Sequence, residues 1–101
     1  VLLANENGKL MISKETIQNI VDGVTKEYKG TKEVSSKVML DKNNNVNIYI
    51  NLIVEANTII KDLSAELQNE IKDKVKKITD LEVKEVNITI KKAIQEKKDN
   101  N

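Results

Sequence analysis

The sequence predicts an α+β domain in which two amphipathic helices cover one face of a four-stranded sheet. In two segments, branched apolar residues recur every three or four positions, the spacing of one buried helical stripe. In four others they alternate with polar residues, the spacing of half-buried strands. The order is strand-helix-strand-strand-helix-strand, which predicts a two-layer sandwich. A ferredoxin-like strand order is the simplest solution, and other orders fit the same pattern.

The first strand and helix are predicted between residues 8 and 30. The strand covers residues 8–13, and Ser13 is a suitable N-cap for the helix that follows. Gly23 inside this helix indicates a close approach to the sheet, and Gly30 suits a left-handed cap at its end. The buried stripe of the helix is expected to contain Ile17, Ile20, Val21, Val24 and Tyr28.

Strands two and three are predicted to form a hairpin. Residues 34–41 and 45–55 both alternate apolar with polar side chains, and the Asp- and Asn-rich run between them is typical of a turn. The inward-facing residues of strand three are Val46, Ile48, Ile50, Leu52 and Val54.

The second helix is predicted to begin after a cap at either Asn57 or Thr58. Its stripe consists of Ile60, Leu63, Leu67, Ile71, Val75 and Ile78. The last strand follows at residues 83–92, where Val83 is out of parity with the alternation that continues to Ile90, so either a bulge or a late strand start is expected. The predicted core includes Ile12, Ile20, Val24, Val38, Ile48, Ile50, Leu52, Leu63, Leu67, Ile71, Val75, Ile88 and Ile90.

Three parts are expected along the chain. Residues 1–7 form an N-terminal leader. The chain begins with Val rather than Met, which is compatible with a removed membrane anchor upstream of this leader. Residues 8–92 form the folded domain. Residues 93–101 form a polar, Lys-rich tail, expected to be frayed helix or disorder.

Composition excludes most catalytic and metal-binding chemistry. The 101 residues include no Cys and no His, which removes thiolate nucleophiles, His-based pairs and the usual zinc sites. We therefore expect no enzyme activity, no catalytic residues, no cofactor and no metal. The 17 basic residues, all of them Lys, nearly balance the 16 acidic ones. Without Arg, and with only two aromatic residues, the chain is poorly suited to nucleic acid.

Two charged groups on the second helix have ordinary explanations. Asp62, Glu66 and Glu70 are interpreted as a solvated face near the helix N-terminus rather than a cation site. Four lysines near its other end match the helix dipole, and their interspersed acids argue against a phosphate site; they are Lys72, Lys74, Lys76 and Lys77. A small nucleic-acid-binding α+β module, using the open sheet face or these lysines, remains the alternative function.

The sheet face opposite the helices is the candidate protein-docking face. Met11, Met39, Tyr49 and Ile53 have outward parity on their strands and supply its apolar content. A domain without a catalytic site still needs a surface for recognition, so we expect self-association or partner binding through these residues.

Two runs of sequence resemble the bacterial alkaline shock protein family. The first is GKLMIS at residues 8–13, followed by a helix, and the second is LSAELQ at residues 63–68, followed by LEVKEVNI at residues 81–88. The resemblance spans residues 8–92, and the membrane-anchor branch of the family is the most similar. Asp80 stands where many members of that family have Gly, so the resemblance does not predict the conformation of this turn.

The resemblance implies a function in envelope and alkaline stress. It implies a non-catalytic scaffold that recruits or anchors a soluble relative at the cytoplasmic face of the membrane; the alternative location is the cytoplasm. The expected partner is that soluble family member or a second copy of the chain, and no nucleic acid. The membrane contact would come from a segment upstream of Val1.

Overall fold

The computed structural model describes residues 2–5, 8–43 and 45–95, with side chains described from residue 11 onward. Its elements are β1 (Leu2–Asn5), β2 (Gly8–Met11), α1 (Lys14–Lys26), β3 (Thr31–Leu40), β4 (Val46–Glu55), α2 (Ile60–Thr79) and β5 (Val83–Ile94).

The main sheet has three strands in the order β3-β4-β5. β3 pairs with β4 in antiparallel orientation, and α2 is the crossover that brings β5 parallel to β4. The α+β class and the two helices are confirmed, whereas the four-stranded sheet is wrong. β2 pairs with β1 in a separate hairpin, and within the described residues these two strands contact no other element. β1 and β2 are close in sequence, so pairing them costs less loop-closure entropy than pairing β2 with an edge of the main sheet.

Both helices pack on the same face of the three-stranded sheet. α1 contacts β3, α2 contacts β5, and the helices contact each other. Most predicted core residues are buried, but Ile20, Ile88 and Ile90 are only partly buried. The last two lie on β5, an edge strand that has no further strand beside it. Ile17 and Val21 on α1, and Val46 and Val54 on β4, are buried as their predicted inward positions require. The other buried apolar residues outside the named core set are Leu81, Val83 and Val86.

The buried stripe of α2 differs from the prediction at both ends. It follows steps of four residues, Leu63, Leu67, Ile71, Val75 and Thr79. Ile60 and Ile78 are each separated from this ridge by a step of three residues, and both are exposed. Thr79 takes the last buried position, and its hydroxyl donates a 2.6 Å hydrogen bond to the carbonyl oxygen of Val75.

The two helices begin differently. The Ser13 cap of α1 is confirmed, since its hydroxyl accepts a 3.1 Å hydrogen bond from the Thr16 N–H. The cap predicted for α2 at Asn57 or Thr58 is wrong: the N-cap is Ile59, which makes no side-chain cap bond. The C-cap of α2 is Asp80 with φ 63°, a left-handed conformation that glycine adopts most readily.

The two glycines near α1 have different roles. Gly30 has φ +96°, and a Cβ there would lie 2.5 Å from Thr58 Oγ1, so both conformation and space require glycine. Gly30 lies beyond the helix cap at Glu27, in the turn before β3. A Cβ on Gly23 would meet no atom within 4 Å beyond its chain neighbours and the backbone of its own helix, so the predicted close approach to the sheet is wrong.

The predicted hairpin between β3 and β4 is confirmed. Asp41 closes its turn, because Oδ1 accepts hydrogen bonds from the N–H groups of Asn43, at 2.8 Å, and Asn45, at 3.0 Å. These hydrogen bonds lower the pKa of the Asp41 carboxyl below its usual value, and the bond from the Asn45 N–H has the largest effect.

β5 contains two irregularities. The first is a register shift between Val83, opposite Val46, and Glu85, opposite Asn47. Of the two explanations expected for the parity of Val83, the structure therefore shows the bulge and not the late strand start. The second is at Lys91, after which β5 continues to Ile94, two residues beyond the predicted end. The tail was predicted for residues 93–101, of which 96–101 lie outside the described residues.

Candidate protein-docking face

One side of the three-stranded sheet has no helix packed on it. We call it the open face. Its residues alternate with those that point towards α1 and α2, and they are mostly polar. The residues of the open face are Glu33, Ser35, Lys37 and Met39 on β3, Asn47, Tyr49, Asn51, Ile53 and Glu55 on β4, and Glu85, Asn87, Thr89, Lys91, Lys92 and Ile94 on β5.

The structure places three of the four predicted docking residues on this face. Met39 and Tyr49 are 43% and 41% exposed, and Ile53 is half-buried. Met39 lies opposite Asn47, which makes it a diagonal neighbour of Tyr49. Met11 is exposed but belongs to β2, in the separate hairpin, so the prediction that it shares the sheet face is wrong.

The sequence analysis missed Ile94, a fourth apolar residue on this side. The irregularity at Lys91 shifts the alternation by one residue, so Ile94 lies opposite Glu55, next to Ile53 on β4. The one signal in the sequence is Lys92, a charged residue at a position where the alternation of Ile88 and Ile90 predicts an inward-facing side chain.

A shallow hollow of about 280 Å³ lies at one end of the open face. Ile53 forms its apolar part, with Glu33 at one side on β3 and Lys91 at the other side on β5. Ser35 and Asn51 are also among its lining residues. The hollow therefore combines an apolar centre with opposite charges on its two rims, which suits a protruding side chain of mixed character.

The two edges of the sheet are less suited to adding a strand. Both edge strands contain bulges and exposed lysines, features that oppose edge-to-edge pairing. A glutamine from the overlying helix also engages one backbone carbonyl of each edge strand. Gln18 donates to Ser36 O at 3.0 Å, and Gln68 donates to Val86 O at 3.1 Å.

A second hollow, of about 370 Å³, lies between the end of α1 and the start of α2. Tyr28 lines it, and its hydroxyl donates a 3.3 Å hydrogen bond to the carbonyl oxygen of Glu66. Burial raises the pKa of Tyr28, and the negative charges of Glu70 and Glu66 add to the effect. Within the described ranges, no three acidic residues converge in a way that could hold a metal ion, here or elsewhere.

One of the lysines at the end of α2, Lys76, is paired with two acidic residues. Lys76 donates a 2.7 Å hydrogen bond to Glu82 and lies 3.6 Å from Asp80. The hydrogen bond to Glu82 raises the pKa of Lys76. These contacts offset the charge of Lys76 within the fold.

Known structures contain the same arrangement of helices and strands. EscJ, a type III secretion system protein of enteropathogenic E. coli, has a TM-score of 0.59 at 12% identity, covering 79% of this chain and 48% of that one. This chain thus spans about half the length of EscJ. A variant of the MamM CTD has a TM-score of 0.56 at 10% identity, covering 79% of this chain and 93% of that one. Another, described as a zinc form, has a TM-score of 0.54 at 10% identity, with coverages of 79% and 86%. At these identities the likeness concerns the fold alone.

The sequence comparison identifies the family. Residues 37–94 match the alkaline shock protein 23 family, described as having a cell envelope-related function. This match covers more than half of the chain, from the end of β3 through β4, α2 and β5, and the chain belongs to that family. The resemblance noted in the sequence is therefore confirmed. No curated protein matches the chain. Among the described residues, neither helix is long and apolar enough to cross a membrane.

Proposed function

We propose that this domain is a non-catalytic scaffold of the envelope stress response that binds another protein through the open face. The family supplies the link to the cell envelope. The observation that carries the proposal is the contrast across the sheet. One face is buried under both helices, whereas the other keeps Met39, Tyr49, Ile53 and Ile94 without cover from α1 or α2.

The proposed role is to recruit or anchor a soluble relative at the cytoplasmic face of the membrane. A membrane-anchor branch exists in the family that the sequence resembles, and a domain that holds a partner needs a surface rather than a catalytic cleft. Apolar side chains in a polar surround are the usual centre of such surfaces. The role requires no cofactor.

The double variant Tyr49→Lys/Ile53→Lys tests this proposal. It places two positive charges at the centre of the open face, so we expect binding of a purified soluble family member to be lost in isothermal titration calorimetry. The far-UV spectrum and melting temperature should stay nearly unchanged, because neither side chain belongs to the helix-covered core.

The matched control is Ala65→Lys/Asn69→Lys, which adds the same charge at exposed positions of α2. It should bind as the wild-type chain does. Binding that survives the Tyr49/Ile53 double variant in a folded chain would place the partner site elsewhere. Unfolding of that variant would show that the two residues belong to a core.

A further inference from the structure

We infer that the open face binds a second copy of this chain, about a two-fold axis that crosses the strands through Ser35, Asn51 and Thr89. The inference rests on the proposed function, since it names a partner for the same face. The three residues lie in one row, because Asn51 is opposite Ser35 on one side and Thr89 on the other. All three are exposed, small or medium-sized and uncharged.

The rows on either side of this central row are complementary. The first consists of Lys37, Tyr49 and Asn87, and the second of Glu33, Ile53 and Lys92. A half-turn about the central row exchanges these rows between the two copies. Lys37 then lies opposite Glu33 of the second copy, and Tyr49 lies opposite Ile53 of the second copy. Each pairing occurs twice.

The shapes of the two rows are complementary as well. Tyr49 is exposed in the first row, and the hollow that contains Ile53 lies in the second. The half-turn places each tyrosine over the hollow of the other copy, and a buried aromatic side chain removes roughly 150–250 Å² from water. If the two-fold axis were parallel to β4 instead, the hollow of one copy would lie over the hollow of the other. That arrangement leaves voids where packed interfaces have contacts.

The strand edges are a less suitable site for a second copy. A copy added to β3 or β5 would meet the bulges, the lysines and the carbonyls that Gln18 and Gln68 already engage. Packing on the open face requires no backbone pairing between strands, so the bulges and the engaged carbonyls do not obstruct it. Under the half-turn, Lys37 is matched with Glu33 of the second copy.

The size of the face predicts a weak dimer. Three strands spaced about 4.8 Å apart and about ten residues long, at about 3.4 Å per residue, give a face of roughly 480 Å² per chain. Two such faces bury roughly 1,000 Å² in total, at the low end for specific complexes. Self-association should therefore depend strongly on protein concentration.

Charge reversal tests the axis in the 101-residue chain. We expect Lys37→Glu and Glu33→Lys each to weaken dimerisation at least about 10-fold in sedimentation equilibrium, because each places like charges opposite each other at both symmetric contacts. The double variant Lys37→Glu/Glu33→Lys should recover to within about threefold of wild type, since opposite charges face each other again. An equimolar mixture of the two single variants should form the heterodimer.

The recovery in the double variant reports contact between chains. Glu33 and Lys37 are four residues apart on one strand, roughly 13 Å, which exceeds the screening length of about 8 Å at physiological salt. Both positions are exposed, so the variants should keep the wild-type melting temperature.

A chain that remains monomeric up to about 1 mM, or a double variant that does not recover, would overturn the inference. It would also be overturned by a dimer that neither single variant weakens. The proposed function is tested separately. If the chain is monomeric, binds the soluble relative, and no longer binds it in the Tyr49→Lys/Ile53→Lys variant, the open face is a docking face but its partner is not a second copy.

Discussion

The two faces of β4 differ in burial, although they belong to the same strand. Val46, Ile48, Ile50, Leu52 and Val54 are at most 1% exposed and pack under the helices. The alternate positions form the middle of the open face, where Tyr49 and Ile53 are the apolar residues. Burial of a large apolar side chain contributes about 1.5–3 kcal/mol, so the first set supplies folding free energy and the second does not.

This contrast assigns the stability of the fold to the covered face and the binding of a partner to the open face. The function proposed above is binding, and binding free energy has to come from surface that folding leaves uncovered. A substitution on the covered face should therefore change stability, and one on the open face should change association while leaving stability nearly intact. Paired substitutions can test each half of the contrast.

The largest difference is expected on α2, between Leu67 and Ile78. Leu67 is fully buried in the helix stripe, so Leu67→Ala should lower the free energy of unfolding by about 2–5 kcal/mol. Ile78 is 57% exposed, so Ile78→Ala should change it by only about 0.5 kcal/mol. Urea unfolding followed by circular dichroism measures both. Equal losses would mean that the covered region extends to the predicted end of the stripe.

A smaller difference is expected between Ile50 and Ile53, on opposite faces of β4. Ile50→Val removes one methylene from a side chain that is 1% exposed and should cost about 0.5–1.5 kcal/mol. The same change at the half-buried Ile53 should cost less than about 0.5 kcal/mol in the monomer. The measurement is made at low protein concentration, where association is negligible. A larger loss at Ile53 than at Ile50 would contradict the assignment of the two faces.

Local periodicity predicted most of the elements and much of the core. The alternation in β4 and the four-residue ridge of α2 are properties of the sequence itself, so both could be read without a structure. Parity likewise indicated either a bulge or a late strand start at Val83, and the register of β5 shows the bulge. The position of the first strand could not be predicted in this way, because alternation describes the faces of a strand but not its neighbour.

The candidate site was only partly predictable for the same reason. Outward parity identified Met39, Tyr49 and Ile53, but it also selected Met11, whose strand pairs with β1 instead of the main sheet. Ile94 was missed because the shift at Lys91 changes its parity. The proposed matching of Glu33 with Lys37 of a second copy depends on which face of β3 the helices leave uncovered and on the row of Ser35, Asn51 and Thr89 across the sheet, neither of which the sequence states.

The most direct test of the account is a concentration series of two-dimensional NMR spectra of this chain, with and without the Tyr49→Lys/Ile53→Lys change. The account predicts shift changes on β3, β4 and β5 that grow with concentration and centre on Tyr49, Asn51 and Ile53, while resonances of the exposed side of α2 stay constant. The double variant should show no concentration dependence. Shift changes centred on the helices or on the β1–β2 hairpin, or changes that persist in the double variant, would contradict the assignment of the open face as the binding surface.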